Sequence, residues 1–192
     1  PPAPSVNLTP GPTGNQLFPI LSTAQRFKLS GAANQVTAAC GLGVYRDDLL
    51  GREWTGNLFT CEPVNLVVHR RVLAPAGSSF TSARAKDEQT REFLASTDNW
   101  FRPVQARTGP DGALWIVDMY RYVIEHPRWI PPDDLARLDT RAGDALGRIY
   151  RVRPAATPAR PIARLDQCDG VGLIAALDSP NGDRKSTRLN SS

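Results

Sequence analysis

The apolar positions of this chain fall in short bursts of small, β-branched and aromatic residues, broken by proline, glycine and asparagine. That pattern predicts short strands and tight turns. Residues 36–46 (VTAACGLGVYR) predict the first strand, in which Gly41 and Gly43 would let another backbone come close. Residues 57–62, 66–73 and 79–86 predict three more, with residues 49–56 as a loop. Residues 104–107 and 113–118 predict a further pair around Gly109-Pro110-Asp111-Gly112, a turn in which Pro sets φ early and Gly supplies φ > 0 late. Residues 148–153 complete the set. Helical signals are few. Residues 133–139 follow two prolines and carry acids in the first turn, which predicts a short helix. Residues 169–178 predict another, with Asp169 as N-cap and Leu173, Ile174 and Leu177 on one face.

Seventeen prolines and fifteen glycines in 192 residues suit a turn-rich β-protein better than a helical bundle. No apolar run approaches the ~20 residues of a membrane helix, so no membrane span is expected. The chain opens on Pro1 rather than Met, and its natural start is expected upstream. Residues 183–192 (DRKSTRLNSS) read like a translated sequencing adapter and are expected to be foreign to the fold. Three basic residues and one acid there account for two of the four formal positive charges. The remaining +2, with no Lys/Arg stripe interleaved with aromatics, argues against a nucleic-acid partner.

The densest chemistry lies in residues 98–126. Asn99, Trp100 and Arg102 precede the strand pair, and Asp118, Tyr120, Arg121, Glu125 and His126 follow it. Loops and strand ends are the favoured places for site residues. The ordered blocks NWFRPV, GPDGALW, DMYR, EHPRWIP and GRIYRV resemble the end of the β-propeller in the membrane-bound-dehydrogenase-like proteins of bacteria. That family is similar to quinoprotein glucose/sorbosone dehydrogenases, and many members carry a CxxCH haem-binding domain further on.

The resemblance implies a mainly β fold: a partial β-propeller of about two four-stranded antiparallel blades, then a linker and the first helix of a HEAT-like helical repeat domain. The implied boundaries are a connector over 1–19, blades over 20–153, a Pro-rich linker over 154–165 and the helical start over 166–182. The partners it implies are the missing N-terminal blades, C-terminal helical and cytochrome domains, and a sugar or alcohol substrate, in a periplasmic or otherwise exported protein. The implied function is that of a PQQ-type dehydrogenase passing electrons to haem c, with PQQ and calcium as cofactors of the parent. The alternative is a non-catalytic propeller that binds carbohydrate or acts as a scaffold. Either way the fragment alone is expected to be inactive.

Arg102 would grip a quinone carboxylate or an acidic substrate bidentately, or pair with a neighbouring acid such as Asp118 or Glu125. Trp100 and Tyr120 are cofactor-binding candidates. Asp118, Tyr120 and Arg121 would serve the site, or form the turn and pair at the rim, the second reading being favoured for Arg121. His126 beside Glu125 would be a base for alcohol oxidation, or a supporting residue, since the resembled enzymes take their base from an earlier blade. His69, mid-strand, reads as structural. Asp47-Asp48 and Asp133-Asp134 lack the alternating oxygen ligands of a calcium loop. Cys40 and Cys61 fall on strands expected to be neighbours, so they are either a cross-strand disulfide, which an exported family would favour, or two buried thiols. Cys168 has no assigned role, and no CxxC or CxxCH motif is present for zinc or haem.

Overall fold

The structure is a computed structural model and describes residues 16–21, 34–158, 160–183 and 185. The expected connector lies mostly outside the described residues, as does nearly all of the 183–192 tail. The described residues are mainly β, in two antiparallel sheets.

The first sheet runs in the order β1 (Cys40–Val44), β2 (Leu58–Glu62), β3 (Val67–Ala76), β4 (Ser79–Arg84). These are the four strands the pattern predicts, with shorter first and last members. The first begins late because Thr37 and Ala38 give their backbone N–H groups to the buried Glu62 carboxylate rather than to a ladder. The fourth ends at Arg84 because residues 86–88 wind into a 3-10 turn. A two-residue strand, β5 (Leu94–Ala95), pairs with the start of β3 and is too short to leave a periodic signal. The second sheet has the order β6 (Pro103–Thr108), β7 (Leu114–Asp118), β8 (Arg148–Val152). In the turn between β6 and β7, Gly112 takes φ +86° and its N–H donates to Gly109 O at 3.0 Å.

The two sheets lie face to face. Alternation along β7 buries Leu114, Ile116 and Asp118 and leaves Trp115 and Val117 on the outer side. Leu114 and Ile116 share one core cluster with Phe59, Cys61 and Val68 of the first sheet, Tyr45 just after β1, and Ala106 of β6. β1 lies directly on β6, and its glycines make that approach possible. A Cβ at Gly43 would sit 2.0 Å from Ala106 O, and one at Gly41 would sit 2.1 Å from Val104 O. No side chain fits in such a gap.

The two expected helices are present but short. α1 (Pro132–Leu135) starts on proline with Asp133 and Asp134 in its first turn. α2 (Gly170–Ala175) is capped by Asp169, whose Oδ1 accepts from Gly172 N at 2.8 Å. Its apolar side chains Val171 and Ile174 are exposed. The segment after it returns to the sheets: Asn181, 2% exposed, donates through Nδ2 to Gly109 O at 2.7 Å. The preceding linker is tied down as well, since Arg160 reaches Asp47 at 2.7 Å and Asp48 at 2.5 Å.

Candidate functional site

The end of the second sheet gathers the predicted residues. β6 and β7 are antiparallel with Pro103 opposite Asp118, so Arg102 and Asp118 must be neighbours. Arg102 N donates to Asp118 Oδ1 at 2.7 Å, and Tyr120 N donates to the same oxygen at 2.8 Å. The other carboxylate oxygen meets Arg148, which β8 places opposite Asp118 in register, at 2.8 Å. Asp118 is fully buried. A buried carboxylate is stable only when it is paired and hydrogen-bonded, and here both conditions hold. It forms the turn and pairs at the rim, the second of its two readings.

Arg102 is 3% exposed. Its Nε donates to Arg121 O at 2.8 Å, one terminal nitrogen to Pro63 O at 2.7 Å and the other to Tyr122 O at 2.9 Å. The planar fork thus clips the β2–β3 turn and the segment after β7 to the start of β6. At these three contacts the Arg102 guanidinium meets main-chain carbonyls.

Trp100 and Tyr120 build a stack. Tyr120 has φ +53°, a left-handed conformation uncommon for a side chain of its size. Its ring has Trp100 5.4 Å away between centroids, and the Arg148 guanidinium stands over it at 3.9 Å. Tyr122 stands 5.5 Å from Trp100. Gly143 of the long insertion closes the stack, because a Cβ there would fall 2.3 Å from Tyr120 O and 3.2 Å from the Trp100 ring. Ring and cation in contact this way hold the insertion against the sheet. Burial would lower the Arg148 pKa, but hydrogen bonds to Asp98 and Asp118 override it and the net shift is upward.

His126 is exposed, and its Nδ1 accepts from Arg128 N at 3.1 Å as the cap of a 3-10 turn over Pro127–Trp129. Its neighbour Glu125 accepts from Ile124 N instead of orienting the imidazole. The base reading of His126 therefore lacks its orienting partner. Arg121 donates to Arg141 O at 2.8 Å, a contact within the insertion.

The other histidine has more company than its sequence neighbours suggest. His69 Nδ1 lies 2.7 Å from Glu92 Oε2, and Arg84 holds the other oxygen at 3.0 Å. Phe18 N donates to that oxygen as well. Burial alone would raise the Glu92 pKa, but the His69 and Arg84 hydrogen bonds bring it below the ordinary value. A cavity of about 450 Å³ lies beside Glu92, between Phe18, Asn34 and Thr90. Glu92 and Arg84 carried no motif in the sequence. Arg148 carried a weak one, since an Arg three positions before an Arg in a predicted strand puts only one of the two on the inner face.

Among the described residues the sheet end offers no clamp for a tricarboxylate quinone: Arg102, Arg121 and Arg148 donate there to carbonyls or to Asp98 and Asp118. It does not fit calcium either. Arg160 supplies the cation at Asp47-Asp48, and the described residues contain no group of three or more His, Cys, Asp or Glu suited to a metal. Cys40 and Cys61 face each other across β1 and β2, as the strand order predicts, but both sulfurs are free thiols rather than a disulfide.

The family described as "Domain of unknown function (DUF7133)" matches residues 2–156, most of the chain, and the protein belongs to it. No curated protein and no solved structure matches. Among the described residues no helix is long and apolar enough to cross a membrane.

Proposed function

We propose that this member of the DUF7133 family forms scaffold blades of a β-propeller in an exported, PQQ-type sugar or alcohol dehydrogenase-like protein. Its reacting groups and quinone clamp belong to other blades, and its electrons pass to a haem c outside this chain. The start of a helical repeat at residues 166–182 belongs to the same reading. The observation that carries the scaffold role is the complete engagement of Asp118, with Arg102 turned to three backbone carbonyls. Groups already committed to the fold are poor candidates for transient contacts with a substrate. The face-to-face sheets, with β1 seated on β6 through Gly41 and Gly43, support the blade reading. The same engagement also suits the alternative, a propeller with no chemistry of its own that serves as a scaffold. Carbohydrate binding by the aromatic stack draws less support, because Arg148 and Trp100 already lie against the Tyr120 ring.

Two measurements test this. The purified chain, titrated with PQQ and calcium and assayed for dye reduction with glucose or a primary alcohol, is expected to give neither saturable binding nor turnover. Turnover abolished by Arg102→Lys would overturn the scaffold role. The uninterrupted reading frame that contains this segment is expected to reduce the dye when loaded with PQQ. If it folds and does not, the dehydrogenase reading falls and the inert scaffold stands.

A further inference from the structure

The strongest chemistry left over lies in the core rather than at the sheet end. Cys40 and Cys61 are the first register pair of the β1–β2 ladder, directly opposite each other. A β-bulge separates this pair from the next, Gly43 with Phe59. Both side chains lie on the same side of the sheet: Cys61 is fully buried in the core cluster and Cys40 packs against that cluster. Directly opposed residues on antiparallel strands have Cβ atoms roughly 4.5–5.5 Å apart, close to the range a disulfide spans.

We propose that Cys40 and Cys61 are a modification site: a dithiol that closes to a cross-strand disulfide when a small-molecule or protein disulfide acts as oxidant. In the first step the Cys40 thiolate attacks the oxidant disulfide, releasing one thiolate and leaving a mixed disulfide on Cys40. In the second the Cys61 thiolate attacks the Cys40 sulfur and expels the other half as thiolate. The net change is loss of two thiol protons and two electrons from the protein, and reduction of one disulfide to two thiols.

The order follows from access. Cys40 is only partly buried and its Sγ–H points to Pro103 O at 3.9 Å, whereas Cys61 has no exposed surface. Burial also pushes the Cys61 thiol up to about 12, with the nearby Cys40 raising it further. The thiolate is the nucleophile, so closure is slow at neutral pH and speeds up as pH rises. Closed, the bond ties edge strand β1 to β2 at the face that carries β6.

The test treats the purified full chain with excess glutathione disulfide, quenches with acid, and maps tryptic peptides without reductant. Trypsin separates the two cysteines, into residues 29–46 and 53–70. The expected product is those two peptides linked, with Cys168 carrying a separate glutathione adduct. Dithiothreitol should return both peptides free. The linked form should melt higher by roughly 5–10 °C, as a loop of this length predicts. In Cys40→Ser, Cys61 should stay unmodified while Cys168 reacts as before. Separate glutathione adducts on Cys40 and Cys61, two unreacted thiols while Cys168 is fully modified, or a Cys61 adduct in Cys40→Ser would each overturn the proposal.

Discussion

Replacing Gly43 by alanine asks one question: do the two sheets meet backbone to backbone at β1 and β6? Gly43 has no unusual backbone conformation, so an alanine there carries no dihedral penalty. What it lacks is room. The added Cβ would stand 2.0 Å from Ala106 O and 3.0 Å from the Ala106 carbonyl carbon. Ordinary contact begins near 3.4 Å, so β1 and β6 would have to part by about 1.4 Å to restore it. Both are backbone segments held in ladders, with no side chain to swing away. Overpacking a core costs typically about 1–3 kcal/mol, and a strand displaced over the Tyr45–Phe59–Ile116 cluster belongs at or above the top of that range. We expect a loss of about 3 kcal/mol or more, seen as a fall in melting temperature of roughly 6–12 °C and a lower urea midpoint by tryptophan fluorescence. Gly56→Ala is the control. It has φ +85° but nothing within 4 Å of an added Cβ, so it should cost only about 1 kcal/mol of backbone strain. If Gly43→Ala is no worse than Gly56→Ala, the close approach of the two strands is wrong, and the face-to-face arrangement with it.

Two further substitutions probe the sheet end and the buried acid. Arg102→Ala removes the donors to three carbonyls in a buried place and should cost about 3 kcal/mol or more in urea unfolding. Arg102→Lys should recover little of this, because a single ammonium cannot span the fork; full recovery would show that charge, not geometry, matters there. Glu92 has its pKa lowered in the folded state, so its contribution to stability is present above the unfolded value of about 4.3. That contribution is lost as pH falls through the folded value. The urea midpoint of the native chain should drop on acidification below pH ~4.5 more steeply than that of Glu92→Gln, and parallel pH profiles would refute the His69–Glu92–Arg84 network as its cause.

How much of this was legible before folding depends on how far each signal reaches. Strand positions were legible because period-two burial and turn residues are local properties: Gly112 takes φ > 0 where Pro-Asp-Gly says it should, and Asp169 caps the helix it precedes. The neighbourhood of Cys40 and Cys61 followed from strand order, and the closeness asked of Gly41 and Gly43 from the missing side chain of glycine in a strand. The roles of the polar residues did not. Arg102 finds its partners at Pro63, Arg121 and Tyr122. His69 finds Glu92, twenty-three positions on. Asp47 finds Arg160, on the far side of both sheets in sequence. A guanidinium or carboxylate offers the same donors or acceptors wherever it stands, and only the folded chain decides whether they meet a ligand, a carbonyl or an opposite charge. Composition and periodicity thus determined that this protein is a set of antiparallel strands with glycine at the contacts. Tertiary structure alone decided that its most suggestive side chains hold the fold together, because desolvating a charge forces it onto whatever partner the packing brings within reach.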